Sequence, residues 1–192
     1  TGCLRCLGMN GREDLLFRWY PAARTPNMTV SVNYLKMIQM AEHHIYLQTP
    51  YFIPDQAILD SLKIAAKSGV DVRIMIPCKP DHPFVYWATY SYLGEMAAAG
   101  AKCYTYQNGF LHAKTLTIDG LVSCVGTANM DIRSFQLNFE VNATIYSERT
   151  SQKLRDAFEN DMLHCQEVTE ESYRQRGLSI RIREQISRLF SP

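Results

Sequence analysis

From Val32 onward, apolar residues recur at helical spacing: Val32, Leu35, Met37, Ile38, Met40 and Ala41. The period then shortens. Ile45, Tyr46 and Leu47 form a continuous apolar run closed by Thr49-Pro50, the pattern of a buried strand. Pro54-Asp55 opens a second helical stretch with Ile58, Leu59, Leu62 and Ala65 on one side, and Gly69 ends it. Val70–Ile76 predicts another strand, Phe84–Ala99 a helix stopped by Gly100, and Ala101–Tyr106 a short third strand.

This β-α-β-α-β order predicts parallel strands joined by right-handed crossovers. The rhythm changes at Leu111. Leu111–Ile118 and Leu121–Val125 flank Asp119-Gly120, a strong hairpin signal, and Asn138–Tyr146 is a further strand. Ser151–Leu163 and the segment from Ser172 predict helices. The expected fold class is α/β, with a mixed β-sheet flanked by helices on both faces, parallel in its first part and antiparallel in its second. Residues 1–28 have no clean period and are interrupted by Pro21 and Pro26, so they form an unassigned lead-in. The expected organisation is a domain over 29–165 and a basic helical tail over 166–192.

The 192 residues are enough for one domain with a real core. Apolar residues make up 46% and charged residues 20%, which argues against disorder. Twenty Lys and Arg against nineteen Asp and Glu leave a net charge of +1, a poor match to a dedicated nucleic-acid binder. The first residue is not Met, which suggests a piece of a longer chain. Of the six cysteines only Cys3 and Cys6 stand as CxxC, and no second pair completes a zinc site, so reduced thiols are expected.

Candidate chemistry gathers in the antiparallel part. His112 and Lys114 are two residues apart, so in a strand both leave the same face, roughly 6–7 Å apart. Two adjacent basic groups repel unless an anion sits between them, and a phosphate is the natural anion. Asn138, Glu140 and Asn142 alternate on the next strand. If their face meets that of His112, Glu140 can accept from one imidazole nitrogen and leave the other free to attack. Gly126-Thr127-Ala128-Asn129 lies between them, with donors at Thr127 and Asn129. Asp119 has the wrong parity to join His112 and Lys114; its Asp-Gly turn predicts that it holds a loop.

The string His112-Ala113-Lys114, four residues, Asp119, six residues, Gly126-Thr127-Ala128-Asn129 resembles the HKD motif of the phospholipase D superfamily. Glu140, 28 residues after His112, stands where that superfamily has its His-orienting carboxylate. Thr49-Pro50-Tyr51-Phe52-Ile53-Pro54-Asp55, Lys79-Pro80-Asp81-His82-Pro83 and Asp131-Ile132-Arg133-Ser134-Phe135 are similar to segments of the bacterial cardiolipin synthase family, in its C-terminal half.

The resemblance implies a phospholipase D-like half carrying one HKD motif. It implies a catalytic set of His112, Lys114, Asp119, Asn129 and Glu140, and substrate contacts from Thr127, Asn138, Asp81 and His82. It implies transfer of a phosphatidyl group between two phosphatidylglycerol molecules through a phosphohistidine, with no cofactor and no metal. The implied partners are phosphatidylglycerol, a membrane surface and a second HKD half, in the same chain or in a homodimer, with no nucleic acid. The implied location is the cytoplasmic face of the cell membrane. A homodimeric single-motif phosphodiesterase or nuclease, and a noncatalytic lipid-binding half, are the alternatives.

The tail adds a separate signal. Five arginines against Glu184 give +4 over residues 174–192, and Leu178, Ile182, Ile186 and Leu189 recur at helical spacing. This predicts either a membrane-surface helix or a helix packed on the domain with a solvated basic face.

Overall fold

The computed structural model describes residues 16–22, 29–79 and 83–190. Among the described residues, eight strands form one mixed sheet in the order β1-β9-β7-β6-β2-β4-β5-β10. The strands are β1 (Leu16–Ala22), β2 (His44–Gln48), β4 (Asp71–Pro77), β5 (Lys102–Tyr106), β6 (Thr115–Ile118), β7 (Val122–Gly126), β9 (Glu140–Tyr146) and β10 (Cys165–Val168). A separate parallel pair joins β3 (Phe52–Ile53) to β8 (Met130–Asp131). β2, β4 and β5 run parallel, and the other neighbours in the sheet are antiparallel, as the sequence pattern predicts.

Helices cover both faces. Ile45, Leu47, Ile74, Ile76 and Leu116 point into the larger core. They meet α1 (Thr29–Gln39), α2 (Gln56–Lys67) and α3 (Pro83–Ala98) through Val30, Tyr34, Leu62 and Leu93. The intervening residues Tyr46, Met75 and Tyr104 point the other way, against Phe158 of α5 (Glu148–Met162). This alternation is the two-residue period of strands buried on both sides. Asp55 caps α2, accepting from Ile58 N–H at 2.9 Å, and Ser31 Oγ donates to its other oxygen. At the Asp119-Gly120 turn both residues have positive φ, +54° and +66°, and Leu121 N–H closes it on Ile118 O.

Several boundaries differ from the sequence reading. β6 begins at Thr115, not at Leu111. Its neighbour β2 ends at Gln48 before Thr49-Pro50, and β7 ends at Gly126. Residues 111–114 therefore outrun their ladder partners, except for Gly126 N–H bonding Lys114 O at 3.3 Å. The lead-in supplies a strand, β1, along the free edge of β9; its internal Pro21 suits an edge position. The sheet also continues past residue 165 through β10, which pairs with β5.

The chain then forms α6 (Glu170–Arg174) and α7 (Leu178–Phe190), and both pack on α3. Gly94 makes room for this: a Cβ there would run into the Tyr173 ring. The short helix α4 (Ile132–Gln136) follows β8. No described helix is long and apolar enough to cross a membrane.

Candidate active site

β2 and β4 end at the same edge of the sheet from which β6 and β9 start and at which β7 stops. Ligand crevices of open α/β sheets lie outside such carboxyl ends. His112 and Lys114 stand at this edge. They lie in the irregular segment just before β6 rather than on the strand itself. His112 is exposed, and its ring stacks on Phe110 with centroids 5.9 Å apart. Lys114 is half-buried, and its Nζ donates to His112 O at 2.9 Å, so the lysine fixes the backbone of the histidine. Burial pulls the Lys114 ammonium below the usual lysine range, opposed by the carboxylates of Glu140 and Asp131.

Glu140 belongs to the same charge group but makes a different bond from the one expected. Its Oε1 accepts from Asn138 Nδ2 at 3.1 Å, and no hydrogen bond joins it to His112. Asn138 is thus the direct partner of Glu140, and its own N–H is held by Arg133 O at 3.0 Å. The third member of the alternating set goes elsewhere. Asn142 is fully buried: it donates to Tyr34 Oη at 2.6 Å and accepts from Ala128 N–H at 3.2 Å. Burial pushes the Tyr34 hydroxyl well above its ordinary range.

The Gly126–Asn129 turn is shaped from below. Thr127 Oγ1 accepts from Val141 N–H at 2.9 Å, and Thr127 N–H donates to Val141 O at 3.0 Å. The Thr127 side chain is therefore tied to β9, and its hydroxyl hydrogen is still available to donate. Asn129 N–H donates to Ser134 Oγ at 3.2 Å, while the buried Oδ1 of Asn129 has no hydrogen-bond partner. Asp131 caps α4, accepting from Ser134 N–H at 2.6 Å. Burial raises its carboxyl pKa, the bonds from Ser134 oppose this, and the charge of Glu140 adds to it.

Thr49 completes the frame, and sequence reasoning gave it no role. Its hydroxyl accepts from Met130 N–H at 3.1 Å and donates to Tyr51 O at 2.8 Å. Together with the β3–β8 pair, this fastens the Thr49–Ile53 segment to the Asn129 turn. In the sequence it shows as the Thr-Pro that closes a buried strand and as the first residue of the Thr49–Asp55 string.

Asp119 lies at the far end of the β6–β7 hairpin, on the order of 15 Å along the strand from Lys114. Its carboxylate accepts three backbone N–H groups, from Glu42 at 2.8 Å, His43 at 2.9 Å and His44 at 2.7 Å. It anchors the entry to β2, the loop-holding role that its Asp-Gly turn predicts. Asp81 and His82 lie outside the described residues. Among the described residues no cluster of three or more His, Cys, Asp or Glu is placed to hold a metal ion.

The family profile described as "Cardiolipin synthase, PLD-like domain" matches residues 34–162. The chain belongs to this family. It is 53% identical over 163 residues to "Cardiolipin synthase 1" of Staphylococcus aureus, covering 85% of this chain and 33% of that protein. It is 59% identical over 159 residues to the cardiolipin synthase of Listeria welshimeri, covering 83% of this chain and 33% of that protein. The chain thus spans about a third of the length of the curated relatives it matches.

Among solved structures, the phospholipase D family member Nuc of Salmonella typhimurium superposes with a TM-score of 0.68 at 19% identity, over 82% of this chain and 99% of that one. The phosphatidylserine synthase of Haemophilus influenzae superposes with a TM-score of 0.73 at 13% identity, over 92% of this chain and 47% of that one. At these identities the two structures bear on the fold, and both place the mixed sheet with its flanking helices in the phospholipase D fold.

Proposed function

We propose that this chain is one catalytic half of a cardiolipin-forming phosphatidyltransferase. The observation that carries the proposal is an open His112 at the carboxyl edge of the sheet, its backbone held by Lys114, whose ammonium feels the Glu140 carboxylate, in a chain 53–59% identical to cardiolipin synthases. In this reading a histidine attacks the phosphorus of one phosphatidylglycerol. A P–N bond forms, the P–O bond to the terminal glycerol breaks, and a second histidine protonates the departing oxygen. That second histidine then takes the proton from the hydroxyl of another phosphatidylglycerol, which attacks phosphorus and frees the first. Cardiolipin and glycerol result, and His112 fills one of the two roles. In this reading Lys114 and Asn129 donate to the nonbridging oxygens as charge develops on them.

The single motif makes the site half of a pair. A second HKD half, from the longer chain or from another copy, supplies the opposing histidine, and the lipid substrate places the work at a membrane surface, on its cytoplasmic face. His112→Ala in the full-length protein should abolish cardiolipin formation from phosphatidylglycerol vesicles. Near-normal glycerol release by that variant would overturn the assignment.

The near-complete coverage of Nuc favours one second reading, a self-paired phosphodiesterase acting on nucleic acid. The +1 net charge weighs against it. Nicking of plasmid DNA in the presence of chelator, together with no transfer on phosphatidylglycerol, would establish that reading instead.

A further inference from the structure

The terminal helix α7 is mounted with its polar side inward. Glu184 and Ser187 are buried, whereas Ile182 is 58% and Ile186 45% exposed. Helices on soluble domains usually show the reverse arrangement. The inversion is specified by partners on other elements. Glu184 pairs with Arg176 and accepts from Tyr173 Oη at 3.4 Å. Arg188 pairs with Glu95 of α3 at 2.9 Å and lies over the Tyr92 ring, 4.2 Å from its centroid. Glu95 also holds Lys63 of α2. A buried ion pair is a poor source of net stability, but removing one partner is costly. The helix cannot roll to hide its isoleucines without breaking these pairs.

The arginines divide accordingly. Arg176 and Arg188 are spent on Glu184 and Glu95, and Arg174 pairs with Glu170 at 2.6 Å. Arg181 and Arg183 are exposed and, among the described residues, have no acidic partner. At 100° per residue they flank the Ile182–Ile186 stripe on opposite sides. An outward apolar stripe between two unpaired cations is complementary to a surface that is anionic at its face and apolar just beneath.

We infer that α7 is a docking helix for an anionic lipid surface. Ile182 and Ile186 enter the headgroup–acyl boundary while Arg181 and Arg183 meet lipid phosphates. The helix lies on the bilayer and does not cross it, and α3, clamped beneath it, holds the rest of the domain at a fixed orientation.

The test is co-sedimentation of the 192-residue chain with phosphatidylserine/phosphatidylcholine vesicles and with phosphatidylcholine vesicles. Phosphatidylserine supplies the negative charge without being the proposed substrate. The chain should bind the anionic vesicles only, and less at high salt. Arg181→Gln with Arg183→Gln should weaken binding roughly 30-fold, from the usual contribution of a surface arginine. Ile182→Ser with Ile186→Ser should weaken it by at least about tenfold, with an unchanged far-ultraviolet circular dichroism spectrum. The His112→Ala chain should bind like the parent, which separates this surface from the reaction proposed above. Equal binding by parent and both double variants, or equal binding to neutral vesicles, overturns the inference. So does a change from dimer to monomer in the isoleucine variant with vesicle binding intact, which would assign the stripe to self-association.

Discussion

The amide oxygen of Asn142 occupies the space that a side chain at Gly126 would need. A Cβ at position 126 would overlap both that oxygen and the Val141 carbonyl. Neither obstacle can swing aside, because Asn142 is held by Tyr34 and Ala128 and Val141 is held by Thr127. Gly126→Ala should therefore displace the turn that carries Asn129, lowering stability by about 1–3 kcal/mol and transfer activity by more than stability alone explains. Urea denaturation and an initial-rate assay on the same preparation check this; an alanine variant with parental values in both would contradict the packing.

Tyr34 supports the same turn from α1. Tyr34→Phe leaves the Asn142 amide with only the Cys124 thiol, 3.5 Å away, as acceptor. An under-satisfied buried donor costs about 1–3 kcal/mol. The expected result is a lower urea midpoint with an unchanged slope, and a fall in kcat larger than any change in KM, because the phenol touches the turn's support and not the lipid.

Asp119 gives a pH signature remote from the chemistry. Burial pushes its carboxyl up, but the N–H groups of Glu42, His44 and His43 together pull it below the ordinary value of 3.8. A depressed folded-state pKa contributes stability that is present above the unfolded value and lost as pH falls through the folded one. Asp119→Asn should thus be destabilised by about 1–3 kcal/mol at neutral pH, and the gap from the parent should close as pH drops below about 4. Parallel stability curves down to pH 3 would refute it.

Gly94→Ala should loosen the far side of the molecule. The added methyl meets the Tyr173 ring and pushes α6 and α7 off α3. Trypsin should then cut at Arg181 and Arg183 several times faster, while the hairpin around His112 keeps its resistance. An unchanged cleavage rate would mean that Tyr173 does not hold these helices.

Much of this architecture is legible in the chain because it is local. Ile45–Leu47, the Asp55 cap and the Asp119-Gly120 turn each carry their cause within a few residues. The differences arise where the cause is distant. His112 and Lys114 leave the ladder because neighbouring strands stop, and a segment read alone cannot show where its neighbours end. Asn142 alternates with Asn138 and Glu140 like a solvent-facing residue, yet it is buried, because Tyr34, 108 residues away in sequence, accepts a hydrogen bond from its amide. The same holds for α7, whose periodicity finds the apolar stripe but cannot tell which side the domain takes. That choice rests on Tyr173, Arg176 and Glu95, outside the helix.

The β1–β9 pairing has a practical consequence for anyone shortening this protein. Leu16–Ala22 covers the outer row of amide and carbonyl groups on β9 from Glu140 to Tyr146. A version trimmed to begin after Ala22 would keep every residue of the HKD string, yet present an uncapped strand beside Phe139 and Val141, which are themselves solvent-exposed. Such a naked edge recruits other chains. Its first symptom would be precipitation on expression, before any loss of chemistry could be measured.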